Sequence, residues 1–189
     1  MKEIRIHARA GQGAITTASI LGYAYFSKGQ YPYAFPHFGA ARMGAPMNAF
    51  VRIDDKPVRL RSQVYNPDYL IVVAATLMRG FDCYVGFKDD GTAIVNEREG
   101  FEIPKPKGKQ KLFIVPANKI STEIMGKTLL GNTVLLGAYA AATGELKLED
   151  MIKAISERFG DKGKAIVDFN VEAIKKGYEF IKNATRSSQ

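Results

Sequence analysis

The chain has 189 residues, 46% of them hydrophobic, which is enough to build one α/β domain around a buried core and too little for a multi-domain protein. Its single cysteine, Cys83, can form no internal disulfide, no zinc site and no iron–sulfur cluster, so any metal or redox chemistry has to come from elsewhere. The net charge of +8 is unevenly placed: nine basic residues against three acidic ones precede Ser62, and no carboxylate lies between Glu3 and Asp54, where Arg5, Arg9, Lys28, Arg42 and Arg52 fall. Such a stretch fits a concave anion site or an acidic partner surface better than a generic solvated face.

Ile4 to Ala8 alternates apolar and polar residues as a short strand does, and Arg9-Ala10-Gly11-Gln12-Gly13 follows as a tight, glycine-rich turn. Ala14, Ala18, Leu21 and Tyr25 then recur at helical spacing, so the opening unit is strand, loop, helix, with Gly29 ending the helix. Tyr31 to Phe35 reads as extended, and Pro36 to Pro46, with two prolines and two glycines, reads as a long loop of the kind that usually carries function. Met47 to Ile53 and Pro57 to Leu60 flank Asp54-Asp55-Lys56, which predicts a hairpin and hence an antiparallel pair. Tyr69 to Ala74 is a continuous apolar run suited to a central strand buried on both faces.

Thr92 to Asn96 and Lys111 to Val115 supply two further strands, separated by a solvated connector containing Lys105-Pro106-Lys107-Gly108-Lys109. Helices are predicted over Asn118 to Met125, Val134 to Thr143, Leu148 to Phe159 and Lys164 to about Lys182. The fold class expected is a single three-layer-type α/β domain, residues 1–183, with a mixed, mostly parallel sheet flanked by helices and a frayed tail at 184–189. The longest apolar stretches fall short of the roughly 20 residues of a membrane span, and Met1 to Arg5 leads straight into strand-like sequence, so a soluble cytoplasmic protein is expected.

Backbone N–H groups of a glycine-rich loop at a helix start can hold an anion, since they are unpaired and the helix dipole favours negative charge. Gly11 and Gly13 allow close approach and Arg9 adds a full charge, so phosphate or carboxylate binding competes with a plain tight connection. A nicotinamide-binding loop would read G-x-G-x-x-G with an acid about 20 residues on, whereas here Thr16 stands at the third glycine and the next carboxylate is Asp54. Gly126-Lys127-Thr128 mimics the end of a nucleotide-binding P-loop, but Ser121 replaces its first glycine and helix-like sequence precedes it. His7 and His37 have no visible nucleophile beside them and are read as structural or interface residues. Seven aromatics between Tyr23 and Phe38 suit core and subunit-interface packing better than a nucleic-acid stacking platform.

The string Arg9-Ala10-Gly11-Gln12-Gly13 resembles the G-x-G-G-Q-G loop that opens the gamma subunit of the pyruvate and 2-oxoacid:ferredoxin oxidoreductases. Pro36 through Pro46 is similar to that family's P-x-x-G-x-E-R-x-G-x-P loop, and Arg52-Ile53-Asp54, Pro57-Val58-Arg59 and Asn66-Pro67-Asp68 follow in order. Gly131-Asn132-Thr133 with Leu136-Gly137-Ala138 resembles its late N-T-x-x-L-G-A helix start. Ala8 and Ala10 depart from family glycines, and Ala41 stands where a glutamate is usual beside Arg42.

The resemblance implies a non-redox subunit of a complex that oxidatively decarboxylates a 2-oxoacid such as pyruvate on thiamine diphosphate with Mg2+. Electrons would pass through iron–sulfur clusters to ferredoxin, and an acyl-coenzyme A would be released. The partners implied are alpha, beta and ferredoxin-like delta subunits, with no nucleic acid and no membrane. This chain lacks both the cysteines for clusters and the G-D-G motif of a thiamine diphosphate site, so it is expected to be inactive alone and to bind none of these groups itself. The residues expected to face coenzyme A, directly or through their loops, are Arg9, Gly11, Gln12, Gly13, Arg42, Gly44, Asn132 and Thr133, with no catalytic residue and no metal ligand. The alternative is a stand-alone anion- or nucleic-acid-binding α/β module.

Overall fold

A computed structural model describes residues 1–39 and 42–186. The chain forms β1 (Lys2–Arg9), α1 (Ala14–Ser27), β2 (Tyr31–Phe38), β3 (Pro46–Asp54), β4 (Tyr69–Val72), β5 (Thr92–Asn96), β6 (Lys111–Val115) and then α2 (Ala117–Met125), α3 (Gly131–Thr143), α4 (Leu148–Phe159) and α5 (Lys164–Arg186). The six strands make one sheet in the order β2-β3-β1-β4-β5-β6. β1, β4, β5 and β6 run parallel, and β3 lies antiparallel to both β1 and β2. The expected α/β domain with a mixed, mostly parallel sheet is therefore present. α5 continues to Arg186 rather than stopping near Lys182, and residues 187–189 of the expected tail lie outside the described residues.

The antiparallel partner of β3 differs from expectation. The strand over Pro46–Asp54 pairs backwards with Tyr31–Phe38, from Tyr31 opposite Asp54 to Phe38 opposite Met47, so these two strands, not Met47 to Ile53 with Pro57 to Leu60, form the hairpin. Pro57 to Leu60 forms no strand. Proline rules out a central strand but not an edge strand, whose outer side needs no donors, and β2 is that edge with Pro32 and Pro36 in it. The expected loop over Pro36 to Pro46 is thus shortened at both ends by strand.

All five α-helices pack on one face of the sheet, sharing a core with Ile4, Ile6, Ala49, Val51, Ile71 and Ile94. α3 and α5 cross closely enough that a Cβ on Gly137 would lie 2.0 Å from the Ile174 carbonyl oxygen, and one on Gly177 would lie 2.0 Å from that of Val134. These are two halves of one backbone-to-backbone contact. It seats α3 deep enough for Val134, Leu135, Leu136, Ala138 and Tyr139 all to be fully buried.

The opposite face is covered without any α-helix, by a 3-10 turn over Ala75–Arg79 and irregular chain packed on Leu70, Val72, Ala93 and Val95. Irregular chain leaves carbonyl groups that need donors, and two buried arginines supply them. Arg52 donates to the carbonyls of Ser62 at 2.6 Å and Gln63 at 2.9 Å while its Nε meets Glu3 Oε1 at 2.7 Å. Arg5 donates to the carbonyls of Val85 at 2.6 Å and Cys83 at 3.1 Å, and through Nε to His7 Nε2 at 3.1 Å. His7 is thereby held neutral: burial and then the Arg5 charge push its pKa down to about 4, against weaker opposing bonds to Asn48 and the Cys83 backbone.

Gly137→Ala and Gly177→Ala are each expected to lower the unfolding free energy by about 2 kcal/mol or more in urea titrations, even though alanine favours a helix over glycine by about 1 kcal/mol. An unchanged or raised value would mean the two helices can separate at no cost. For His7 the folded pKa lies below the unfolded 6.5, so its contribution is complete above pH 6.5 and lost as the pH falls toward 4. Stability should decline over that window by roughly 3 kcal/mol at most, and His7→Gln should flatten the decline.

Candidate functional site

From β1 the chain moves outward to β2 and β3 on one side, then crosses to β4, β5 and β6 on the other. Open sheets of this kind take ligands at the carboxyl ends of the strands where the order reverses, here between β1 and β4. β1 ends at Arg9, and Gly11 (φ 94°) and Gly13 (φ 79°) take left-handed backbone that lets the chain enter α1 at once. Gln12 closes this turn: its side-chain oxygen accepts the Arg9 N–H at 2.9 Å, and its own N–H donates to the Arg9 carbonyl at 3.0 Å. Gly13 is also required sterically, since a Cβ there would stand 2.7 Å from Asn132 Nδ2.

Asn132, in the first turn of α3, donates to Thr17 Oγ1 at 3.2 Å, and Thr17 Oγ1 donates to the Gly13 carbonyl at 2.9 Å. Thr133 donates to Asn170 Oδ1 at 2.9 Å, whose amide nitrogen donates to the Ile166 carbonyl, so α3 is tied to α5 as well as to α1. Asn96, closing β5, donates at 3.1 Å both to the Val73 carbonyl and to Asn118 Oδ1 near the start of α2. Around these bonds lies a crevice of about 360 Å3, into which the first turns of α1, α2, α3 and α5 all open. Among the described residues no charged side chain lines it, and none of the four helices has an acid in its first turn. Four helix starts with no carboxylate in their first turns favour an anion in this polar hollow, whose wall also includes Met125 and Phe159, the last residues of α2 and α4.

The sequence-predicted residues divide into two groups. Gly11, Gln12, Gly13, Asn132 and Thr133 line the crevice together. Arg9 and Gly44 sit beside it and bond to each other, Arg9 Nη1 donating to the Gly44 carbonyl at 3.2 Å. The β2–β3 turn is docked on the glycine loop by Ala10 N–H to Ala45 O at 2.8 Å and Gly44 N–H to Ala10 O at 3.1 Å. Met43 packs over Gly11 so closely that a Cβ there would meet its sulfur at 2.7 Å. Arg42 is exposed on this turn and is not part of the crevice wall; neither it nor Arg9 has an ion-pair partner among the described residues. Ala41, the departure beside Arg42, lies outside the described residues.

Thr16, Asn96, Asn118 and Asn170 escaped the sequence reading. Only Asn96 carried a signal, as a polar residue ending an otherwise apolar strand at the ligand-facing edge. Gly126-Lys127-Thr128 is a helix end and not a phosphate loop: Gly126 caps α2 in left-handed backbone, and Ser121 Oγ donates to the Lys127 carbonyl at 2.6 Å while accepting the Leu130 N–H. Of the clustered aromatics, Tyr25 is buried with its hydroxyl 2.6 Å from that of Tyr139, whereas Tyr23, Phe26 and Tyr31 stand in solvent.

The family model described as pyruvate ferredoxin/flavodoxin oxidoreductase matches residues 3–180. The chain is 51% identical over 155 residues to pyruvate synthase subunit PorC of Methanosarcina barkeri, covering 82% of this chain and 85% of that one. It is 44% identical over 183 residues to the pyruvate/ketoisovalerate oxidoreductases common subunit gamma of Pyrococcus furiosus, covering 95% and 96% respectively. Among solved structures, the pyruvate oxidoreductase subunit PorC of Thermotoga maritima superposes with a TM-score of 0.79 at 36% identity, over 94% of this chain and 95% of that one. Matched from end to end in sequence and in fold, the chain belongs to the pyruvate ferredoxin/flavodoxin oxidoreductase family, as its gamma-type subunit.

Proposed function

We propose that this gamma subunit serves a complex that oxidatively decarboxylates a 2-oxoacid, pyruvate or a close homologue, to acyl-coenzyme A and carbon dioxide with ferredoxin as acceptor. Its own part is to present the anion-binding crevice that faces coenzyme A, and to hold that crevice in register with the other subunits. Thiamine diphosphate, Mg2+ and the iron–sulfur clusters are carried by partner chains. Cys83 is a buried thiol whose pKa burial pushes up to about 11, and among the described residues no group of three His, Cys, Asp or Glu is placed to hold a metal. On this proposal the isolated chain is inactive. Most of its length is matched by relatives that are themselves named as subunits, which favours this reading over a stand-alone module.

The observation that carries the proposal is the convergence of four helix starts on one carboxylate-free crevice at the strand-order reversal. Coenzyme A brings several phosphates, whose oxygens would accept hydrogen bonds from unpaired first-turn N–H groups. Arg9 spends one guanidinium donor on Gly44 and keeps the rest of its fork beside the glycine loop, while Arg42 projects from the adjoining turn. The two loops are bonded to each other, so an anion bridging them meets a preset pair of cations.

In the intact complex, Arg9→Ala and Arg42→Ala should each weaken coenzyme A by about 1.5–3 kcal/mol, roughly 10- to 150-fold, while the coenzyme A-independent decarboxylation half-reaction is unaffected. Unchanged coenzyme A affinity in both variants, or loss of the half-reaction in step with it, would leave these arginines as interface residues. Iron or thiamine diphosphate bound stoichiometrically to the anaerobically purified single chain would contradict the division of labour between subunits.

A further inference from the structure

On the face of the sheet away from the helices, a second hollow of about 440 Å3 reaches the side chains of Arg5 and His7. It is separate from the coenzyme A-facing crevice and shares no residue with it. Arg5 lies at its floor, only 8% exposed. Arg52 lies on the neighbouring strand and points to the same face. Arg52 is equally deep, at 1% exposure, and its charge is met by Glu3 at 2.7 Å. Arg5 has carbonyls and a neutral imidazole for partners and no carboxylate within ion-pair distance among the described residues. Its Nη1 is the least engaged nitrogen, reaching only the Val64 carbonyl, at 3.4 Å.

A buried guanidinium without a countercharge is costly to keep, and breaking an existing buried pair has a similar cost. His7 cannot supply a countercharge: neutral, it only accepts the Arg5 Nε–H, and protonated it would be a second cation. Asp82 lines the hollow but is exposed at its mouth, where its Oδ1 accepts the Tyr84 N–H at 2.9 Å; it makes no ion pair with Arg5. Around the opening stand three large apolar side chains in solvent, Tyr65 at 65%, Phe81 at 57% and Val85 at 62% exposure. A polar socket with a desolvated charge at its centre and an apolar, water-excluding rim is the build of a protein-binding hot spot.

We propose that this hollow is a docking socket for a carboxylate side chain, Asp or Glu, presented by another subunit of the complex, which pairs with Arg5 while its apolar neighbours cover Tyr65, Phe81 and Val85. The apolar rim selects this source of carboxylate over a small free acid, which would neutralise Arg5 but leave the three side chains in water. The proposal rests on the reading of the chain as a subunit and adds where, and with what chemistry, it is gripped.

The test uses anaerobically copurified complex and the full chain carrying Tyr65→Lys or Tyr65→Glu, an exposed position at which folding is checked by the melting temperature. Both changes remove the Tyr65 ring from the rim, but only glutamate repels an incoming carboxylate. Glutamate should weaken assembly at least about tenfold more than lysine, and residues 63–65 and 81–85 should be protected from hydrogen exchange in the wild-type complex. Equal weakening by both, or an assembled complex with those segments unprotected, overturns the socket and leaves the subunit assignment intact. Acetate saturating the isolated chain at submillimolar concentration, with Arg5→Lys abolishing it, would overturn the protein source in favour of a free acid. A wild-type chain that joins no other subunit would overturn the subunit reading itself, and the socket with it.

Discussion

Because every α-helix packs against the same face of the sheet, the two faces have to solve different problems. On the helical face, α1 and α2, which follow the parallel strands β1 and β6, begin near the same edge, and the first turns of α3 and α5 crowd in beside them. Two glycines make this possible. Without Gly137 and Gly177 the backbones of α3 and α5 could not touch, and α3 would ride higher over the sheet. Its start, Asn132, would then no longer reach Thr17 across the bare α-carbon of Gly13. The crevice is thus a consequence of helix depth, and helix depth is a consequence of what is missing from two side chains.

The other face is short of regular structure, and charge does the work that helices do opposite. Arg5 and Arg52 each reach several carbonyls of irregular chain, which one planar cation with five donors can do and a lysine cannot. The method carries a cost: each buried cation needs an anion. Glu3 answers for Arg52 within the chain. Arg5 has no ion-pair partner among the described residues, and the carboxylate proposed above would supply one from a partner chain.

The sheet's two antiparallel pairs connect these halves. β3 is sandwiched between β2 and β1, so the turn joining β2 to β3 is delivered to the same edge as the glycine loop after β1. Main-chain bonds between Ala10 and residues 44–45 continue the β1–β3 ladder past its end and lock the two turns together. A movement of one is therefore a movement of the other.

Local pattern alone identified the opening strand, turn and helix, the buried strand starting at Tyr69, which ends at Val72 and not at Ala74, and α4 to the residue, because each has a strong period and clear breakers. The uninterrupted run of cations before Asp54 and the order of short motifs were equally legible, and they led to the family. What the sequence could not contain was any decision made by neighbours. Pro36 looked like a loop residue because proline forbids a paired N–H, and only the sheet order shows that β2 has an edge where none is needed. Pro57 to Leu60 looked like a strand until Arg52 is seen holding the carbonyls of the chain that follows. Arg5 and Arg52, indistinguishable as basic residues on alternating strands, differ in the fold by one carboxylate: Glu3 lies across the ladder from Arg52, and no acid lies across from Arg5.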